Sequence, residues 1–142
     1  MNILEQIKER ALNKEMDGTI TNTEQLKLFV SGYLQGVYDQ YNQDYFRLEE
    51  KDYRTIKDWT ENYFKKSFYF TFGSCEEFPF QNGYIIVKAE TIREAAYKFM
   101  LAYPNPCDED TLNCSDYYDA TAWKRLLREG YYKDQEPFLI ME

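Results

Sequence analysis

The segment FYFTF, residues 68–72, decides the fold because it places a phenylalanine at every second position. Strict alternation of this kind is typical of a β-strand with one buried face, so Phe68, Phe70 and Phe72 are predicted to face a core. The segment YIIVKAE, residues 84–90, predicts a second strand, and roughly ten residues separate the two. Together they predict a hairpin with a long loop.

Segments with helical periodicity lie on both sides of this hairpin, because apolar residues recur in them at steps of three and four. Predicted helices span residues 3–14, 21–41, 52–66, 91–103 and 120–129. Thr21 with Glu24, and Thr91 with Glu94, have the spacing of capping boxes, and Asp119 is a predicted N-cap. Shorter strands are predicted at residues 112–118 and 137–141.

The predicted order is three helices followed by a β-β-α-β-α-β unit. This order predicts an α+β fold with an antiparallel or mixed sheet and helices mainly on one face. We assign residues 1–66 to a helical segment and residues 67–142 to an α+β domain. No repeat or low-complexity linker marks the boundary, so a single domain is the alternative.

The composition favours recognition over catalysis. The chain has 14 tyrosines and 10 phenylalanines but no histidine. Aromatic rings supply contact area, whereas histidine is the usual general base and the commonest metal ligand. The net charge is −8, which disfavours direct binding to nucleic acid and favours a basic partner. We therefore expect a protein that is not an enzyme and that needs no cofactor.

Two segments invite a catalytic or metal-binding interpretation. Cys114 with Asp116 nearby resembles a nucleophile and a base, but the acidic surroundings disfavour the thiolate. The acidic triplet 108–110 resembles the start of a calcium loop, but Leu112 and Asn113 stand where such a loop needs an acidic or amide residue and a glycine. With an odd number of cysteines and no CxxC pair, we predict reduced thiols and no metal.

Two aromatic segments are candidate contact surfaces. The segment EEFPF, residues 76–80, combines two carboxylates with two phenylalanines, so it is either an anchor for a partner or an apolar plug that folds back onto the sheet. For the rings of Phe78 and Phe80 we favour the apolar plug. The tyrosine-rich run 38–46 is predicted either to dock the helical segment on the sheet or to line a self-association face.

Several segments resemble a known group of proteins. They are FYFTFGS (68–74), EFPFQNGYIIVKAET (77–91), YPNP (103–106), LNCSDYYD (112–119) and GYYKDQEP (130–137). They are similar to small uncharacterised proteins that recur in bacteriophages and mobile elements of Firmicutes. The resemblance covers about residues 67–142 and implies a shared structure and a phage-type setting, but no catalytic residues. Small acidic phage proteins without enzymatic motifs often bind host proteins, including CRISPR–Cas effectors.

The sequence thus predicts an accessory protein that inhibits a host defence nuclease by occupying its basic groove. The predicted partner-binding residues are Glu76, Glu77, Phe78, Phe80, Asp108, Glu109, Asp110, Asp116 and Asp119. The predicted location is the host cytoplasm, because the sequence shows neither a signal peptide nor an apolar run that spans a membrane. The alternatives are a metal-dependent enzyme that uses Asp and Glu, and an assembly protein that forms a homo-oligomer.

Overall fold

A computed structural model describes residues 2–41 and 49–142 of the chain. The chain divides into a first unit, Met1–Phe64, and a second unit, Lys65–Glu142. The elements are α1 (Ile3–Met16), α2 (Thr23–Tyr41), α3 (Glu50–Asn62), β1 (Lys66–Phe72), β2 (Gly83–Ala89), α4 (Ile92–Ala102), β3 (Asp116–Tyr118), α5 (Ala120–Arg128) and β4 (Ile140–Met141). This order confirms the predicted α+β class. The predicted tyrosine surface, residues 38–46, lies mostly outside the described residues.

The first unit is a cluster of three helices around an apolar core. Its buried side chains are Ile7, Ala11, Ile20, Leu26, Val30 and Ile56. The helix α1 ends in a Schellman motif, in which Gly18 has a φ of 83° and Thr19 N donates to Lys14 O at 2.9 Å. No helix in the described part of the chain has both the length and the apolar character that crossing a bilayer requires.

Four predicted helix ends in the first unit are wrong by two to four residues: the end of α1, the start of α2 and both ends of α3. The start of α2 is capped by Asn22, whose Oδ1 accepts from Gln25 N at 2.9 Å, and not by Thr21. The Gln25 side chain then accepts from Thr21 N at 2.6 Å, so a capping interaction forms one residue later than predicted. The helix α3 ends at Asn62, and Lys66 begins β1 instead of extending the helix.

The second unit contains a four-stranded sheet in the order β3-β1-β2-β4. The central pair, β1 and β2, is antiparallel, with Phe70 opposite Ile85. At one edge β3 pairs antiparallel with β1, and at the other edge β4 pairs parallel with β2. The sheet is therefore mixed, and both edge strands are shorter than the predicted strands 112–118 and 137–141.

One face of this sheet carries the main core of the second unit. The phenylalanines of β1 point toward α4, as the alternation predicts, together with Ile85, Val87 and Ala89 of β2. The fully or nearly buried residues are Phe68, Phe70, Phe72, Ile85, Val87, Ala89, Ala95 and Phe99. The helix α4 begins at the predicted N-cap Thr91, whose Oγ1 accepts from Glu94 N at 3.1 Å. The Glu94 carboxylate accepts from Glu90 N at 3.2 Å and not from Thr91 N, so only half of the predicted capping box forms.

The opposite face of the sheet is covered by α5, so the prediction of helices mainly on one face is wrong. Trp123 of α5 is 4% exposed and stacks on Tyr69 of β1 with ring centroids 4.5 Å apart. Its ring also contacts Tyr84 of β2 at 4.6 Å. The residues that alternate with the phenylalanines include tyrosines, whose large rings also need burial. Both faces of the sheet therefore require a helix.

Candidate acidic partner-binding surface

The sheet topology brings two distant acidic segments to the same end of the second unit. The loop 73–82 leaves β1 directly after Phe72. The strand β3 starts opposite the same end of β1, since Asp116 is paired with Thr71 and Ser115 N donates to Thr71 O at 2.8 Å. The loop 103–115 therefore arrives where the loop 73–82 departs. We call this region, residues 73–82 and 103–116, the acidic end.

The acidic end is built from parts of the sequence that carry no basic residue. The stretches 67–87 and 99–123 contain seven acidic residues and no lysine or arginine. These seven are the predicted acidic contacts Glu76, Glu77, Asp108, Glu109, Asp110, Asp116 and Asp119, and all are exposed. None of them takes part in the four ion pairs found among the described residues.

The two lysines of the central hairpin lie far from the acidic end. Lys66 and Lys88 lie at the opposite end of the central hairpin, where they pair with Ala89 and Ser67. Six strand steps separate that end from Phe72, or roughly 20 Å at the usual rise of a strand. The sheet therefore separates a lysine-bearing end from the acidic end. That distance exceeds the screening length at physiological salt, so Lys66 and Lys88 do not offset the charge of the acidic end.

Six of the seven acidic residues belong to the acidic end, and Asp119 lies beside it. Because Asp116 is opposite Thr71 and Tyr118 is opposite Tyr69, β3 runs away from the acidic end. Asp119 is therefore roughly 10 Å from Asp116 along the strand. Its side chain caps α5 by accepting from Ala122 N at 2.8 Å, so it stabilises the helix as well as adding charge.

Hydrogen bonds within the loop hold the acidic triplet 108–110 in place. Asp108 accepts from Thr111 Oγ1 at 2.6 Å and from Asp110 N at 2.9 Å. These two hydrogen bonds, the Thr111 hydroxyl first, lower the pKa of Asp108 and keep it ionised. In the part of the chain that the structure describes, no three Cys, Asp or Glu side chains gather closely enough to hold a metal ion.

Phe78 and Phe80, which are predicted partner contacts, are half-buried against the core. The Phe80 ring lies 5.4 Å from Phe72 and 5.5 Å from Tyr103, and the Phe78 ring lies 6.2 Å from Phe72. This packing favours the plug interpretation, because the rings close the apolar interior under the loop. A contact with a partner stays a prediction for the exposed edges of these rings.

Phe138, which was not among the predicted contacts, is an exposed aromatic residue beside the acidic end. Its side chain is 52% exposed, and its ring stacks on Phe80 at 5.5 Å with an interplanar angle of 9°. Its backbone N donates to Tyr84 O at 2.9 Å, which fixes it beside the start of β2. Gly83 permits this approach, because a methyl group there would overlap the Phe138 ring. Only the isolated glycine hinted at a close contact.

Cys114 has the wrong environment for a nucleophile. The side chain packs against the core of the second unit. Burial, reinforced by the neighbouring charge of Asp116, raises the pKa of the Cys114 thiol to about 12. At neutral pH the sulfur is therefore an uncharged thiol, which is a poor nucleophile. The other cysteines, Cys75 and Cys107, are exposed and free.

No family model, curated protein sequence or solved structure matches this chain. The fold and the surface together define a class: an α+β protein with exposed carboxylates and a partly exposed aromatic ring at one end of its sheet.

Proposed function

We propose that this protein binds a basic surface of another protein through the acidic end and inhibits it without catalysing a reaction. The single observation that carries the proposal is the group of seven exposed carboxylates within stretches that contain no lysine or arginine. A carboxylate without an ion-pair partner is not neutralised by a neighbouring cation, so its negative potential attracts the cationic surface of another protein.

The proposed target is a nucleic-acid-binding protein, and within that class a host defence nuclease such as a CRISPR effector. A groove that binds a phosphate backbone is lined with lysine and arginine. A compact set of carboxylates can occupy the same groove in place of the phosphates. The resemblance to phage and mobile-element proteins supports this choice of target, since an inhibitor of a defence nuclease benefits such an element.

An affinity capture from a host lysate tests the proposal. The bait is the intact protein, and the test variant neutralises Glu76, Glu77, Glu109 and Asp110 to the matching amides. These four are chosen because Asp108 and Asp119 hold hydrogen bonds that stabilise their loop and helix. The matched control neutralises four exposed acidic residues that belong neither to the acidic end nor to its flanks, namely Glu9, Glu24, Glu129 and Asp134.

We expect the wild type and the control to capture the same basic protein, and the test variant to lose it. Raising the salt from about 0.05 to 0.5 M should release it as well, because the screening length shrinks from above 10 Å to below 5 Å. The captured protein should lose its nucleic-acid binding when the wild type is added. Capture that is equally strong for the test variant, or no capture at low salt, would contradict the proposal.

A further inference from the structure

We infer that the partner contacts the acidic end with an extended basic segment that also carries apolar side chains, and that this segment lies along β4 over Phe138 and Ile140. The inference rests on the proposed function and goes further by naming the partner's conformation and chemistry. Three independent features of the second unit lead to it: an exposed apolar run, an open backbone edge and the sign of the surrounding charge.

The apolar run is the tripeptide 138–140. Phe138, Leu139 and Ile140 are 52%, 38% and 49% exposed. Ile140 lies in β4, and Phe138 and Leu139 lead directly into it, so exposed apolar side chains continue from the acidic end along this edge of the sheet. The run is adjacent to the acidic end because Phe138 stacks on Phe80. Contiguous apolar exposure beside a polar rim is typical of an interaction site.

The backbone of β4 offers hydrogen bonds on its outer side. Leu139 O accepts from Ile86 N at 3.0 Å, and the next register pairs are Ile86 with Ile140 and Val87 with Met141. Backbone groups alternate in direction along a strand, so the N–H and C=O of Ile140 point away from β2. An added strand can exchange two hydrogen bonds with this residue, as in strand addition to a sheet edge.

The surrounding charge selects the occupant. A second copy of the chain would bring another net charge of −8 and a second acidic end to the contact, which like-charge repulsion opposes. Glu136 and Glu142 flank the apolar run and are exposed. A basic segment with alternating apolar residues fits β4 and the acidic end together.

Two synthetic peptides with the same number of lysines test this inference. One contains lysine only, and the other alternates lysine with valine so that it favours an extended conformation. Binding of each to the full chain is measured by isothermal titration calorimetry at low salt. We expect both to bind, and the alternating peptide to bind about tenfold tighter because it also covers apolar surface.

Two variants test whether the tighter binding of the alternating peptide depends on Phe138 and Ile140. Phe138→Ser and Ile140→Pro should each remove the preference for the alternating peptide and leave binding of the lysine-only peptide unchanged. Proline at position 140 deletes an N–H that points away from β2, a placement that sheets tolerate on an edge. The control is Tyr131→Ser in the turn after α5, because Tyr131 is also an exposed aromatic residue, with 59% of its surface accessible. Thermal unfolding of each variant checks that the second unit stays folded.

The outcomes separate this inference from the proposed function. If the lysine-only peptide does not bind, the acidic end lacks the proposed affinity for basic segments, and both proposals are wrong. If it binds and the alternating peptide binds no more tightly, only the inference about β4 is overturned. The inference is likewise overturned if the preference survives in both folded variants, or if Tyr131→Ser abolishes it.

Discussion

Replacing Phe99 with alanine should destabilise the second unit more than any change on the outer side of α4. The Phe99 side chain is 0% exposed. Its ring lies 4.8 Å from Phe70, 6.0 Å from Phe72 and 5.5 Å from Tyr103. Phe99→Ala removes the contact by which α4 holds the phenylalanine face of the sheet.

The magnitude follows from the burial. Truncating a fully buried phenylalanine to alanine costs about 3–5 kcal/mol, which combines the lost transfer free energy with the cost of the cavity. The neighbouring rings are large and cannot close the cavity easily, so a value near 4 kcal/mol is expected. A domain of this size has a urea m-value of about 1 kcal/mol per molar, so the unfolding midpoint should fall by about 4 M, or the variant should unfold without urea.

The chain contains two tryptophans, one in each unit, which makes the assay specific. In a Trp59→Phe background, Trp123 is the only tryptophan that remains. It is 4% exposed and stacked on Tyr69, so its fluorescence reports unfolding of the second unit. Urea titrations of this background with and without Phe99→Ala give the change in the free energy of unfolding.

The control is Tyr97→Ala on the same helix. Tyr97 is 57% exposed, so its truncation should change the free energy of unfolding by less than about 1 kcal/mol. The reasoning is refuted if Phe99→Ala lowers the midpoint by no more than Tyr97→Ala does. That result would mean that α4 does not rest on the sheet through Phe99.

Three further predictions concern local features of the second unit. Gly83→Ala should expose and loosen Phe138, seen as fast proteolysis near residue 138, and unchanged cleavage would contradict the close approach. Asp119→Ala should cost about 1 kcal/mol in thermal unfolding because it removes a cap; a neutral result argues against that cap. Cys114 should react with iodoacetamide far more slowly than the exposed thiols. Because its folded pKa, about 12, lies above the usual value near 9, its contribution to stability is complete below pH 9. That contribution should decline as the pH rises from about 9 toward 12, measured by urea titration.

Helix and strand positions in this chain were largely predictable because they depend on neighbours in sequence. The period of two in residues 68–72 and the capping pair Thr91 and Glu94 are local patterns with local energetic causes. The end of α5 was equally predictable, since Gly130 adopts a φ of 93°. The error at the start of α2 is of the same local kind, because Asn22 competes with Thr21 for the same cap.

The residues of the acidic surface could be predicted from the sequence, but their arrangement in space could not. Glu77 and Asp108 are separated by about 30 residues in the chain, and only the pairing of Asp116 with Thr71 brings their loops to one end of the sheet. For Phe78 and Phe80 the role was left open by the sequence, which allowed both an apolar plug and an anchor for a partner. The packing of the two rings against Phe72 favours the plug.

By itself, the sequence determined the class of the fold, the order of its elements and the sign of the charge, because each follows from residue types at short spacing. The tertiary structure alone decided that α4 and α5 cover opposite faces and that Phe138 stands beside Gly83. Those outcomes depend on strand order and register, which are set by contacts between residues far apart in the chain. Short-range periodicity carries no information about such contacts.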